Sequence, residues 1–404
     1  MVVPKLRFKE FDGDWSQVKL KDLVLSLDAG VSVNGEDVSV TEDDFSVLKT
    51  SCVSLGAFNP NERKKVTLEH EILRLKEPLL NNSLVMNRSN TPLLVASSAF
   101  IRNAPKKTYL SDKLWQFKVN QNANIQWIAF HLSNETTLIK LRDMATGTSN
   151  SMKNITKPDV LNFDLIAPSK SEQTKIASFL SAVDEKISQL TQKHQLLSQY
   201  KQGMMQKLFS QQIRFKADDG SEFGEWKEKE LKEVAEINPK AKKLPANFIY
   251  IDLESVEKGQ LLLQKNIELQ DAPSRAQRLL TKGDVLFQMV RPYQQNNYYF
   301  NLSGEYVAST GYAQIRTKLD SKFIYYALHE KTFLDEVMNR CTGTSYPAIN
   351  SSDLSSIEMF VPCLEEQTKI ANFLSAIDQK IEVVAQQIEQ VKTWKKGLLQ
   401  QMFV

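Results

Sequence analysis

Most of the side chains that could do chemistry in this 404-residue chain lack the spacing that catalysis needs. Its four histidines, His70, His131, His194 and His329, have no metal-ligand spacing, and no H-E-x-x-H occurs. The phosphate loop G-x-x-x-x-G-K-[ST] is missing, as is a G-x-G-x-x-G following a strand. So is the Asn-Pro-Pro-aromatic run of an amino-methyltransferase. Acid-rich spots such as "TEDD" lack the partner lysine of a nuclease site. His194 reads as a structural residue of a helix seam, His131 and His329 as packing residues of their helices.

What remains is recognition chemistry. "NSLVMNRSNTPLLV" (82–95) and "GDVLFQMVRPYQQNNYYF" (283–300) each run an apolar strand into a loop at equivalent places. The first loop holds Asn87, Arg88, Asn90 and Thr91; the second holds Arg291, Tyr293, Gln294, Gln295 and Asn296. Arg, Asn and Gln pair bidentately with base edges, and Tyr can stack or bond phosphate. A plain solvated turn is the alternative. Lys64 and Lys65 in "NERKK", and Arg275 with Arg278, fit either phosphate contacts or ordinary surface charge. Thr146-Gly147-Thr148-Ser149 and its copy at 342–345 suit a turn whose amides face an anion, or a turn with no ligand.

The elements that must position these loops come from a duplication. "EQTKIASFLSAVDEKI" (172–187) and "EQTKIANFLSAIDQKI" (366–381) agree at 13 of 16 positions at a constant offset of 194. "ATGTS" at 145–149 returns as "CTGTS" at 341–345, and "WIAFH" at 127–131 resembles "YYALH" at 325–329. Arg7, Trp15 and Leu20 near the start recur as Arg214, Trp226 and Leu231. The chain is one unit of roughly 200 residues written twice, within the usual domain size. Each unit runs from an opening motif through a globular region to a long helix.

Both helices carry a heptad seam, with apolar positions alternating by four and three. The first seam is Val183, Ile187, Leu190, His194, Leu197, Lys201, Met204 and Leu208; the second is Ile377, Ile381, Val384, Ile388, Val391, Lys395, Leu398 and Met402. Two matched seams in one chain predict packing on each other rather than on a globular core. Ser169-x-x-Glu172 after Pro168 reads as a capping box, which the second copy lacks at Cys363. A helix over 169–209 would be ~60 Å long. The ~150 residues between the helices form a globule with a radius of gyration of only ~15 Å. They reach an adjacent helix end far more easily than a distant one, so the pair should be antiparallel. Full overlap would set Lys201 near Val384 and Lys395 near Leu190, and bring Phe403 and Val404 to Arg7-Phe8-Lys9.

The expected fold is therefore α+β. Two mixed β-rich domains, 1–168 and 211–362, are separated by antiparallel coiled-coil helices at 169–210 and 363–404, in an internal pseudo-two-fold repeat. "EYVASTGYAQIRT" and "KTYLSDKLWQFKV" alternate like half-buried strands; "FIYYALHEKTFLDEVM" and "IQWIAFHLSNETTLIKLRDM" read as helical. Composition agrees with a globular protein: 42% hydrophobic, 25% charged and a net charge of +3, with a pI near 8.5. That mild basic excess permits a polyanionic partner without demanding one. Cys52, Cys341 and Cys363 are scattered and cannot all pair, which fits a reduced, cytoplasmic setting. Neither a signal-peptide h-region nor an ~18-residue apolar run is visible.

The "EQTKIA-FLSA-D-KI" helices, "TGTS" upstream of each, and "SLVMNRSNTPLLV" with "GDVLFQMVRPY" resemble the specificity subunit of Type I restriction–modification systems over essentially the full length. That resemblance implies target recognition domains, each reading one half of a split double-stranded DNA sequence. It implies no catalysis in this chain: two methyltransferase (modification) subunits dock along the helices, and restriction subunits join through them. S-adenosylmethionine, ATP and Mg would sit on those partners. One departure is "LLVASS", where similar domains often carry Val-Gly after Leu. Independently of the resemblance, two different heads held at a fixed distance suit two half-sites about one DNA turn, ~34 Å, apart.

Overall fold

The computed structural model describes residues 3–149, 151–241 and 243–404, and its contacts resolve into two compact units. The first comprises residues 1–190 and 387–404, the second 191–386, so each unit takes a share of both long helices. Those helices run over Lys170–Phe209 and Leu364–Met402.

In the first unit the main sheet is antiparallel, ordered Val24–Ala29, Leu114–Val119, Ser83–Asn87 and Ser98–Ile101. Its strands are rich in β-branched, aromatic and leucine side chains, and Leu84, Met86, Trp115 and Phe117 are buried in the core. The helical stretch foreseen over 125–144 forms two helices, Ile125–Ser133 and Glu135–Asp143. Asn134 breaks it: extended in backbone, its side chain accepts from the Thr136 N–H and so caps the second helix. "KTYLSDKLWQFKV" likewise divides, Thr108–Tyr109 joining a separate three-stranded sheet with Ser46–Leu48 and Arg63–Lys65.

The second unit repeats the main sheet as Ala235–Ile237, Tyr312–Thr317, Val285–Gln288 and Tyr298–Tyr299. "EYVASTGYAQIRT" supplies strands to two sheets. Tyr306–Ser309 pairs in parallel with Asn247–Ile251, while Tyr312–Thr317 turns into the main sheet. "FIYYALHEKTFLDEVM" is again two helices, Ser321–Ala327 and Lys331–Asn339, the second capped by Glu330. A short antiparallel ribbon leads into each long helix: Ser16–Lys19 with Asp164–Ala167, and Lys227–Glu230 with Glu358–Val361.

The duplicated words acquire a physical role at the helix starts. Arg7 donates Nε and Nη2 to the two carboxylate oxygens of Glu172 at 2.7 and 2.8 Å, and Nη2 also to the Gly13 carbonyl. Arg214 does the same to Glu366 at 3.1 and 2.7 Å and to the Gly224 carbonyl. The carboxylates are 2% and 0% exposed. This corrects the expected capping box. The Glu172 N–H does reach Ser169 Oγ, at 3.4 Å, but its carboxylate serves Arg7 instead of turning back on the cap. The next residue is a stitch: Gln173 Nε2 donates to the Pro168 carbonyl and its Oε1 accepts from the Asn124 N–H. Gln367 does so with Pro362 and Asp320.

Chain direction follows from packing inside each unit. In the first, Ile176, Leu180 and Val183 from the start of one helix share a core with Leu398, Met402 and Phe403 from the end of the other. In the second, Ile370, Leu374 and Ile377 share a core with Met205, Leu208 and Phe209. The helices are antiparallel. Leu6 N–H donates to the Gln401 carbonyl at 2.9 Å, and Phe8 packs in the same cluster as Phe403, so the two chain ends meet as expected.

Candidate nucleic-acid interface and helix pair

Seam positions Val183, Leu190, Ile377, Val384 and Ile388 are buried; Ile187, Leu197, Ile381 and Val391 are half-buried. The heads of the two seam lysines end on carboxylates of the facing helix. Lys201 Nζ lies 2.6 Å from Asp378, and Lys395 Nζ 2.5 Å from Asp184. An ammonium left among apolar side chains loses its hydration, so each stem lies in the seam while its head reaches a carboxylate. Lys201 also stands over the Tyr326 ring at 5.2 Å, and Tyr326 donates its hydroxyl to Asp378 at 2.7 Å. Lys395 stands over Phe130 at 5.4 Å. Asp184 and Asp378, the aspartates inside the repeated "FLSA-D-KI", were not singled out from sequence, although that repeat was the signal for them.

The recognition loops are less alike than the sequence suggests. Ile155 N–H donates to the Arg88 carbonyl, and Ile349 N–H to that of Met289, so Arg88 corresponds to Met289. By the same register, Asn90 pairs with Lys153 while the Arg291 N–H donates to Pro347, making Asn90 the counterpart of Arg291. The two arginines occupy different places.

Asn87 is fully buried, its Nδ2 donating to the Val53 carbonyl at 3.0 Å. Asn90 is buried too, its Oδ1 accepting from the Thr91 N–H and its Nδ2 pointing to the Thr50 carbonyl at 3.4 Å. Neither amide stands at the surface as a base reader must, because both hold the loop together. Arg88 and Thr91 are exposed. Ala96, which follows Val95 in the divergent "LLVASS", is buried with φ +61°, a conformation glycine takes without a Cβ clash.

In the second loop Tyr293 is 51% exposed, whereas the side-chain oxygens of Gln294 and Asn296 are engaged. Gln294 Oε1 accepts from Gln288 Nε2 at 2.9 Å, and Asn296 Oδ1 accepts from the Lys258 N–H at 3.0 Å. Gln295 takes a left-handed backbone, φ +52°, closing the turn over Pro292. Arg291 is half-buried, and its guanidinium carbon lies 4.2 Å from the centroid of the Tyr346 ring.

Among the flanking cations, Lys65 pairs with Asp44 at 2.8 Å, and that lysine with the Thr41 contacts holds the Asp44 carboxyl down to about 2. Lys64 is half-buried beside it. Arg275 is exposed. Arg278 is half-buried with its Nε lacking a hydrogen-bond partner, and burial lowers its pKa. His131 and His329 are packed in their helices, as expected, and burial pushes both imidazoles down to about 4. All three cysteines are free thiols. Among the described residues no group of His, Cys, Asp and Glu could hold a metal ion, and no helix is long and apolar enough to cross a membrane.

The model of the Type I restriction modification DNA specificity domain matches residues 13–199 and again 224–393. The chain belongs to the Type I restriction–modification specificity family. Two matches to one domain restate the internal repeat in full. The MjaVIII specificity subunit of Methanocaldococcus jannaschii is 26% identical over 344 residues, 80% of each chain. The EcoDI specificity subunit of Escherichia coli is 24% identical over 275 residues, 60% of this chain and 61% of that one. The crystal structure of a Type I S subunit from M. genitalium shares the fold, with a TM-score of 0.63 at 16% identity, covering 100% of this chain and 99% of that one. As a specificity subunit, the chain confers DNA sequence specificity and is not itself the catalyst.

Proposed function

We propose that this specificity subunit reads an asymmetric, two-part target in double-stranded DNA, one part per unit. On this reading two methyltransferase subunits dock on the paired helices, and restriction subunits join through them. The observation that carries the reading is the contrast between frame and loops. Arg7–Glu172 and Arg214–Glu366 are the same lock built twice, while Asn90 and Arg291 fill the same loop position with different chemistry. A duplicated frame suits two copies of one partner; unlike loops suit two unlike half-sites.

The residues assigned to DNA are Arg88 and Thr91 in the first unit and Arg291 and Tyr293 in the second, with Lys64, Lys65, Arg275 and Arg278 as phosphate contacts. The helix pair, with Lys201 and Lys395 at its ion pairs, is assigned to the partner subunits. S-adenosylmethionine, ATP and Mg are assigned to those partners, none to this chain.

The test is an exchange of residues 1–168 for those of a relative, followed by sequencing of methylated sites in cells that also express the methyltransferase subunit. One half of the recognised sequence should change and the other persist. A change in both halves, or in neither, would overturn the assignment.

A further inference from the structure

We propose that Arg291, its guanidinium lying over the Tyr346 ring, reads the major-groove edge of a guanine in the half-site of the second unit. Tyr346 is its positioning residue. The inference rests on the two-part reading above and adds to it one base and one residue that the sequence did not suggest.

The pair is built before any ligand arrives. Arg291 adopts a left-handed backbone, φ 54° and ψ 54°, uncommon for a residue with a Cβ. Strain of this kind persists where the surroundings over-determine it. Here the Arg291 N–H donates to Pro347 at 2.7 Å, Val290 bridges to Ala348, and Ile349 N–H donates to Met289 at 3.0 Å. From behind, buried Gln288 donates to the Val290 carbonyl at 2.8 Å and accepts from the Asn296 N–H at 3.0 Å. These bonds fix where the side chain of Arg291 begins, and the Tyr346 ring, 4.2 Å from the guanidinium carbon, gives it a surface on which to end.

Stacking occupies the face of a guanidinium and leaves its N–H edges open. Among the described residues, none accepts a hydrogen bond from the guanidinium of Arg291. By contrast Arg7, Arg214 and Arg316 have their guanidinium groups on carboxylates. Tyr346 stays 63% exposed, so the pair stands at the surface. An in-plane pair of donors matches guanine O6 and N7, the commonest specific arginine contact. A phosphate accepts from many directions and gains little from a fixed plane, whereas a base edge accepts in one plane only. At the equivalent positions of the first unit stand buried Asn90 and the non-aromatic Met152.

The full chain with its methyltransferase subunit should be titrated with duplexes in which each guanine of that half-site is replaced by 7-deazaguanine. One replacement should weaken binding about tenfold or more, and Arg291→Ala should weaken it as much without adding to that replacement. Tyr346→Phe should stay within about twofold, and Tyr346→Ala should lose discrimination at that position at an unchanged melting temperature. A loss equal on all duplexes, with a shallower salt dependence, would make Arg291 a phosphate contact and overturn the proposal. So would a half-site without guanine. If the unaltered complex shows no sequence preference, the two-part reading itself fails; if it keeps its preference after Arg291→Ala, only this inference does.

Discussion

Lys201 and Asp378 form an ion pair at 2.6 Å, and adding the repeat offset of 194 to the lysine while subtracting it from the aspartate gives Lys395 and Asp184, paired at 2.5 Å. An antiparallel pair of like helices makes each such contact twice. These bridges are partly exposed, so solvent screens them and their direct worth is small. A double-mutant cycle of Lys201→Ala with Asp378→Ala should give a coupling of about 0.5–1 kcal/mol by denaturant unfolding. Coupling near zero would leave only the apolar seam holding the helices in register.

The Arg214–Glu366 lock should matter more. Glu366 is 0% exposed and also accepts from Trp226 Nε1 at 3.1 Å. Arg214→Ala strands a buried carboxylate and should cost about 3 kcal/mol. Replacing both partners, Arg214→Met with Glu366→Leu, should recover much of that loss, because no unpaired charge then remains. Urea denaturation of the three variants decides it; a double variant worse than the single one would show that the ion pair itself supplies stability.

Buried His131 and half-buried His329 give the fold an acid limit. His131 and His329 stay neutral when folded, with pKa values near 4 against an ordinary 6.5. The unfolded chain therefore binds more protons between those values. Stability is fully present above pH 6.5 and falls as the pH drops toward 4, by at most ~1.4 kcal/mol per pH unit for each histidine. His131→Gln with His329→Gln should flatten unfolding free energy against pH in that window. An unchanged slope would assign the acid sensitivity to carboxylates.

Adjacent residues in the first loop should behave oppositely. Asn87→Ala abandons the buried Val53 carbonyl and should cost about 1–2 kcal/mol of stability while the methylated sequence stays the same. Arg88→Ala should leave the melting temperature nearly unchanged and relax or weaken DNA binding by ~1–3 kcal/mol. Thermal melts and binding titrations of the two variants separate holding the loop from reading with it.

Sequence alone determined the duplication, the two long helices, their antiparallel direction and the meeting of the chain ends. Such features are legible because they depend on local periodicity and on how far a chain can reach. A 13-in-16 repeat with a heptad seam leaves little to tertiary context. Tertiary structure decided which of the repeated residues bind each other. Glu172 reads locally as half of a capping box, yet Arg7, 165 residues away, claims its carboxylate, because a bidentate charged pair out of water outweighs a turn on the cap. The loops were the least legible part. Asn87, Asn90 and Arg291 look alike as readers of bases, but burial turned two of them inward and only pairing with the 342–349 loop set the third on Tyr346. Side-chain type is written in the sequence; whether its hydrogen bonds are spent within the fold depends on neighbours that are distant in the chain.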